Sequence, residues 1–383
     1  MMLAVVGGVL LLAGALAVLT GVLPLDAVVA LADRTVPVLG FVVAITVVAA
    51  LAAEAGVFAW IADAAAHAAR GRGAVLWLLV VAVAVLSTVF LSLDTTAVLL
   101  TPIVVTMARR VGLPPMPFAL TTVWLANTAS LLLPVSNLTN LLAESAPALR
   151  GRSYVALSAL PAVVAVVVPV LVLAVVYRRS LTRRYAAQPW SVPADRRLRT
   201  VAAVIVALLV PALVSGLPVW IPASAAALVL VIVFSWRRRT ALRFGLLPWQ
   251  LVVFVCGLFL TVAAVGRVGA TAVLEAVAGS GDSPVALLQV AGVGTAAANL
   301  VDNLPAYLLL EPVAESPARL IALLVAVNAG SLITPWASLA TLLWQQRLAA
   351  MDVRISWWRF AGLGLIVAPL TVGAATLAIG VTR

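Results

Sequence analysis

The sequence predicts an all-α polytopic membrane protein built as two inverted-topology repeats, each with a re-entrant helical hairpin and a broken transmembrane helix. Three observations predict it. First, 64% of the 383 residues are hydrophobic and the mean hydropathy is +1.21, whereas soluble chains are nearer half apolar. Uncharged apolar runs such as 201–220 and 251–265 approach the length of a bilayer-spanning helix. Second, a polar patch recurs. Residues 125–142 read LANTASLLLPVSNLTNLL, an apolar stretch holding Asn127, Thr128, Ser130, Ser136, Asn137, Thr139 and Asn140 around Pro134. Residues 327–344, VNAGSLITPWASLATLLW, echo it at one offset: Asn328, Ser331, Pro335, Ser338 and Thr341 stand where Asn127, Ser130, Pro134, Asn137 and Asn140 stood. Third, the basic residues fall in loops in a way that gives the two halves opposite orientations.

Taken in order, spans lie at about 3–23 and 36–51. The first lacks a basic leader and reads as a retained helix rather than a cleaved signal. Residues 57–70 form a short amphipathic piece suited to the membrane interface. A hairpin over 74–110 comes next, with Ser92, Asp94, Thr95 and Thr96 at its turn. Non-helical backbone at that depth must be buried in protein or line a cavity. The first broken helix covers 116–146, and a plain span covers 154–177. Residues 178–199 are a linker with seven arginines, a cytoplasmic signature. The second half has spans at 200–215, 218–236 and 249–265, and a short piece at 271–279. A hairpin over 284–316 then turns at Asp302 and Asn303, where Asp302 is read as the counterpart of Asp94. A broken helix over 317–346 and a last span at 358–381 complete about nine full spans plus two hairpins. The domains are therefore 1–177, the linker 178–199, and 200–383. The span at 200–215 has no partner in the first half: either the chain lacks an N-terminal helix that the symmetry predicts, or the given start lies downstream of the true one.

All 24 basic residues are arginine, and the net charge is +11. With the linker inside, its seven arginines and eleven others fall on the cytoplasmic side, while Arg34, Arg150, Arg152, Arg267, Arg319 and Arg383 fall outside. The N-terminus is then cytoplasmic and the C-terminus outside. No basic stripe with interleaved aromatics exists, which argues against nucleic-acid binding. The lone Cys256 excludes an internal disulfide and a cysteine metal site. His67 reads as a surface residue. Trp190, Trp220, Trp249, Trp357 and Trp358 read as interface anchors, and Glu54 and Glu311 as reaching the interface.

Two hairpin turns and two helix breaks meet at mid-membrane in such an architecture, the usual place of a secondary transporter's site. Broken helix ends supply free N–H and C=O groups. The candidate substrate or ion ligands are Asp94, Thr95, Thr96, Asn127, Ser130, Ser136, Asn137, Asn140, Asp302, Asn303, Asn328, Ser331, Thr334, Ser338 and Thr341. Asp94 and Asp302 are the candidate proton-coupling pair, since intramembrane carboxylates mark ion or proton pathways. Each could also cap its turn. No cofactor or bound metal is expected, only a coupling proton or sodium ion.

The segments SLDTTAVLLTPIV (92–104), ANTASLLLPVSNLTNLL (126–142), AGSLITPWASLATLLW (329–344) and RISWWRF (354–360) resemble those of arsenite-efflux permeases, the arsenical pump membrane proteins of the ion-transporter superfamily. Divalent-anion/sodium symporters are more distant relatives. The resemblance spans almost the whole chain. It implies hairpins and broken helices that move together against a scaffold, often in a homodimer in the plasma membrane. It also implies expulsion of arsenite and antimonite by the proton gradient or with an arsenical ATPase partner. Asp302 stands where the resemblance leads one to expect Asn.

Arsenite is a neutral trihydroxide at neutral pH and suits hydroxyl, amide and backbone ligands. A dicarboxylate would want compensating positive charge, and no arginine lies in the four site segments. The alternatives are a sodium/proton antiporter or a sodium-coupled carboxylate or sulfate symporter of the same superfamily. An enzyme reading, an intramembrane aspartyl protease using Asp94 and Asp302, lacks the Gly-x-Gly-Asp context and leaves the echoed motifs unexplained.

Overall fold

The computed structural model describes residues 2–186, 195–267 and 270–381. Trp190, Arg383 and the middle of the linker lie outside them. Helices α1 (Met2–Leu19), α2 (Leu25–Glu54) and α3 (Val57–Ala68) open the chain. Helix α4 (Gly73–Leu91) stops at Ser92; α5 (Leu93–Thr95), a π-helical turn over Thr96–Leu100 and α6 (Thr101–Arg110) come after it. Helix α7 (Pro115–Thr128) passes through 3-10 turns at Ala129–Leu132 and Pro134–Ser136 into α8 (Leu138–Glu144). Helices α9 (Tyr154–Val176) and α10 (Arg178–Leu181) lead to the linker. The second half runs α11 (Arg196–Leu213), α12 (Trp220–Arg237), α13 (Trp249–Arg267), α14 (Ala270–Ala278) and α15 (Pro284–Val301). Helix α16 (Asn303–Leu310) and a 3-10 turn at Glu311–Val313 lead to α17 (Pro317–Ala329). Further 3-10 turns at Gly330–Leu332 and Pro335–Ala337 precede α18 (Leu339–Ala349) and α19 (Trp357–Ala378).

Local chemistry sets many of these boundaries. Ser153, Asp195, Ser283 and Ser316 each cap a helix by accepting from a backbone N–H two or three residues on. Prolines stand where a helix start lacks a partner for its N–H, as at Pro115, Pro284 and Pro317. Where α1 crosses α13, a Cβ on Gly257 would lie 2.6 Å from the Gly7 carbonyl oxygen. Only glycine permits that approach, and in lipid close packing of this kind is what joins helices.

Among the described residues, seven helices are long and apolar enough to cross a membrane: α2, α4, α9, α12, α13, α15 and α19, the last counted to Val381. Five of these were expected as full spans, and α4 and α15 are arms of the expected hairpins. Helices α7 and α17 are interrupted by their breaks, and α11 starts with three arginines among its first four residues. Helix α2 also starts at Leu25, well before the expected 36. Sequence alone placed Asp33 and Arg34 in a loop because charges are costly in a bilayer. The fold keeps them helical, and Arg34 finds a carboxylate, a carbonyl and a hydroxyl outside its own helix.

Three apolar clusters hold the described residues together. One joins α15, α16 and α17 with parts of α9 and α13. A second joins α4, α6, α7, α18 and α19. The third joins α2, α11 and α12 and reaches the tip of α4 through Val89 and Leu91. Helices α7 and α17 are sheathed on all sides: Phe118 to Thr128 and Leu320 to Ala329 are buried throughout. That is why they are apolar all round, and why their polar ends have only each other and the adjoining turns as partners.

The arginines segregate. Gly73 at the start of α4 donates to Arg183 O at 3.0 Å. Arg237 pairs with Asp195 at 2.6 Å and Arg238 with Glu54 at 3.7 Å. Arg237, Arg238 and Arg347 share one cleft. Beside Arg237, the exposed Asp195 carboxyl is held below its usual range, chiefly by the Leu198 backbone N–H and then by Arg237. Arg34 and Arg319 stand elsewhere. Arg319 is buried and donates to the carbonyls of Ala278, Gly279, Gly281 and Val313.

Candidate functional site

The site begins at two unusual backbone turns. Ser92 ends α4 with φ 98 and ψ 158, and Asp302 ends α15 with φ 94 and ψ 156. Neither is glycine, and such left-handed strain persists only where surroundings enforce it. Both residues cap the next helical segment. Ser92 Oγ accepts from Thr95 N at 3.4 Å, and Asp302 Oδ1 accepts from Leu304 N at 3.2 Å. The backbone therefore corrects the expected pairing: Asp302 takes the place of Ser92, and Asp94 lies two residues past the turn. Sequence reasoning matched the two aspartates because they are the conspicuous residues; only the dihedrals reveal the shift.

Each turn is docked to a break by the same device. The carbonyl three residues before the turn accepts from the facing broken helix: Ser136 Oγ donates to Val89 O at 2.9 Å, and Trp336 Nε1 donates to Asn299 O at 2.7 Å. The Asn299 side chain adds more, donating to Gly330 O at 2.8 Å and accepting from Thr334 N at 2.9 Å. Thr95 and Thr96 turn inward instead. Thr95 Oγ1 donates to Leu91 O, while Thr96 bonds Ser87 and Thr88. Asn299, Ser87 and Thr88 were not singled out from sequence; a lone Asn three residues ahead of Asp302 was the available signal.

The two breaks are cross-linked by amides. Asn137 Nδ2 donates to Asn328 Oδ1 at 2.6 Å, and Asn328 Nδ2 donates to Asn140 Oδ1 at 3.0 Å. Asn140 Nδ2 reaches Ser130 O at 2.7 Å, and Ser331 Oγ reaches Asn127 Oδ1 at 3.2 Å. The echo is imperfect where Ser338 and Thr341 replace Asn137 and Asn140. Their hydroxyls are buried and bonded to no described protein atom. A serine hydroxyl is too short to span the gap that the Asn137 amide spans. An unpaired buried polar group costs about 1–3 kcal/mol, so its retention calls for a reason.

All four elements meet at one cavity of about 70 Å³. Asp94, Asn137, Asp302, Asn303 and Ser338 line it, with Ser92 added by the structure. Opposite them stand Phe41 and Thr46 of α2 and Phe254 of α13. Of the other candidates, Asn127, Ser130, Asn140, Asn328, Ser331 and Thr341 lie buried around the breaks behind the cavity, and Thr95, Thr96, Ser136 and Thr334 brace the turns. No arginine lines the cavity among the described residues. Nor do these contain a group of three His, Cys, Asp or Glu side chains able to hold a metal ion.

This geometry can be set beside known proteins. Residues 1–319 match the family model CitMHS, described as citrate transporter. The chain belongs to that transporter family. It is 30% identical over 370 residues to the arsenical pump membrane protein of Yersinia enterocolitica, covering 89% of this chain and 86% of the relative. It is 28% identical over 357 residues to the Escherichia coli K12 protein of the same name, covering 85% and 81%. Membership of the arsenical pump membrane protein family agrees with the resemblance carried by the hairpin and break motifs. In three dimensions the chain is similar to the Alcanivorax borkumensis YdaH transporter, with TM-score 0.60 and 16% identity over 94% of this chain and 89% of that one. That likeness shows a shared fold. The protein is thus a multi-pass membrane transporter and not an enzyme.

Proposed function

We propose that this transporter exports arsenite and antimonite across the plasma membrane by proton-coupled alternating access. The observation that carries the reading is the cavity: about 70 Å³, two carboxylates, amide and hydroxyl groups, and no arginine among its described lining residues. That lining offers hydrogen-bond acceptors and neutral donors to a small inorganic hydroxide and no cation to a tricarboxylate. A carboxylate substrate would also face Asp94 and Asp302 without a compensating cation. A neutral trihydroxide can donate to the carboxylates and accept from the Asn137 and Asn303 amides and the free Ser338 hydroxyl. The names of the Escherichia coli and Yersinia relatives support the same solute class.

In this reading the turns at Ser92 and Asp302 are tips of re-entrant hairpins in two inverted repeats. Together with the broken helices they move against α2 and α13, with the Arg-rich face inside. Asp94 and Asp302 carry the coupling protons, Asp94 as the principal carrier because Asp302 Oδ1 also caps its turn. A homodimer and an associated ATPase are part of the expectation that the resemblance supplies. The citrate-transporter description of the family favours a second reading, a sodium-coupled carboxylate symporter.

Everted vesicles carrying the full chain separate the two. Under an imposed proton gradient, arsenite should accumulate without sodium, and citrate and succinate should not. Sodium-dependent citrate or succinate flux with no arsenite flux would overturn the proposal.

A further inference from the structure

Helix α2 serves as a ruler through the protein. Phe41, Val42, Ile45 and Thr46 line the central cavity. About one turn further along, Ala50, Ala53 and Glu54 line a larger cleft of about 800 Å³. The opposite wall advances in step: Ser92, Leu93 and Asp94 face the cavity, and Val98, Leu99, Pro102 and Ile103 face the cleft. Arg237, Arg238 and Arg347 surround the cleft, so it belongs to the Arg-rich face. The ion pairs there, Arg237 with Asp195 and Arg238 with Glu54, stay within α2, α11, α12 and their flanking residues.

The other end of α2 is closed differently. Arg34 lies about 10 Å from Phe41 along the helix, at ~1.5 Å per residue. Its guanidinium forms an ion pair with Glu311, in the turn after α16. It also donates to Leu142 O at 2.8 Å and to Ser145 Oγ at 3.1 Å, both at the end of α8. Beneath this bond set, Leu31, Leu39 and Leu138 pack into the cluster that contains Leu142. One side chain thus fastens α2 to both elements that could part there, the end of the first broken helix and the return arm after Asp302.

We infer that Arg34 is a gating residue: its bonds to Glu311, Leu142 and Ser145 seal the cavity on the face opposite the arginine cleft, and must break before a solute leaves that way. The inference rests on the alternating-access reading but not on which solute is carried. Arginine suits the role because its planar fork can serve several acceptors at once, and a partly exposed ion pair is weak enough to open. Its side chain is 28% exposed and that of Glu311 12%.

The test reads accessibility and needs no substrate. In the full chain carrying Cys256→Ser, Leu141→Cys places a thiol on the cavity wall beside the latch. A membrane-impermeant maleimide is added to spheroplasts and, separately, to everted vesicles. The parent should label slowly from the latch face. Arg34→Ala should raise that rate at least tenfold and Glu311→Gln severalfold, with Arg34→Lys between Arg34→Ala and the parent. Unchanged labelling in variants that elute as a single species would overturn the inference. If Arg34→Ala fails to fold, Glu311→Gln decides it. As a second readout, an Arg34→Cys and Glu311→Cys pair joined by a short reducible cross-linker should hold labelling at its slow rate until reduced. Fast labelling in the joined state would equally overturn it. Loss of arsenite flux with the labelling pattern intact would sink the solute assignment and leave the gate standing.

Discussion

Ser92 and Asp302 hold almost the same backbone, φ 98 and ψ 158 against φ 94 and ψ 156, and both are docked through the carbonyl three residues earlier. Their chemistry differs. The second turn places its carboxylate at the cap, where Oδ1 is committed to Leu304 N. The first uses a serine as cap and carries its carboxylate two residues on, at Asp94, which accepts no hydrogen bond from a described residue. Bracing differs too: hydroxyls inside the first turn, one asparagine across the second. Similar geometry with redistributed chemistry teaches that one aspartate is built into the frame and the other is not, which in the proposed function makes Asp94 the principal proton carrier.

The sharpest way to break that comparison is to neutralise each acid in turn. Asp94→Asn should lower proton-driven flux about 100-fold, near 2.7 kcal/mol in barrier, and remove its dependence on the pH gradient while the melting temperature holds. Asp302→Asn keeps a capping acceptor and should cost flux about tenfold or less. Equal losses in vesicle flux would erase the distinction. Next is bracing. Asn299→Ala strands Gly330 O and Thr334 N, and should destabilise by about 3 kcal/mol, counting ~1–3 per buried unpaired group. Ser136→Ala should cost about 1 kcal/mol, both measured by unfolding in detergent. A smaller effect comes from the turns themselves. Asp302→Ala loses a cap at a positive φ and should cost about 1–2 kcal/mol, whereas Ser92→Gly should be close to neutral in the same unfolding assay. Smallest in stability is Ser338→Ala. Its hydroxyl has no protein partner to lose, so melting should not change while solute affinity falls a few-fold by competition binding. A drop in melting temperature instead would make Ser338 a structural residue.

Much of this frame was legible in the sequence because a bilayer punishes polar groups. Asn127, Asn137 and Asn328 inside apolar runs had to be interior and bonded, and they are. The placement of both breaks against both turns came from the same rule. The hidden features depend on partners remote in sequence. Arg34 looks like a loop residue until Glu311 is brought beside it. Asn299 looks like an ordinary helical asparagine until the Thr334 backbone docks on it. The register of the second turn could not be read, since a backbone dihedral leaves no trace when serine and aspartate both cap. Ser338 was legible as polar but not as unpaired, because its silence comes from being one group shorter than Asn137.

The central claim is that both halves of the chain build one solute cavity between Asp94, Asn137, Asp302 and Ser338. Diffraction at the arsenic absorption edge from crystals of the full chain grown with arsenite tests it most directly. The account predicts a single anomalous peak within that cavity, absent from Asp94→Asn crystals grown the same way. A peak elsewhere, or an empty cavity at an arsenite concentration that saturates transport, would contradict it.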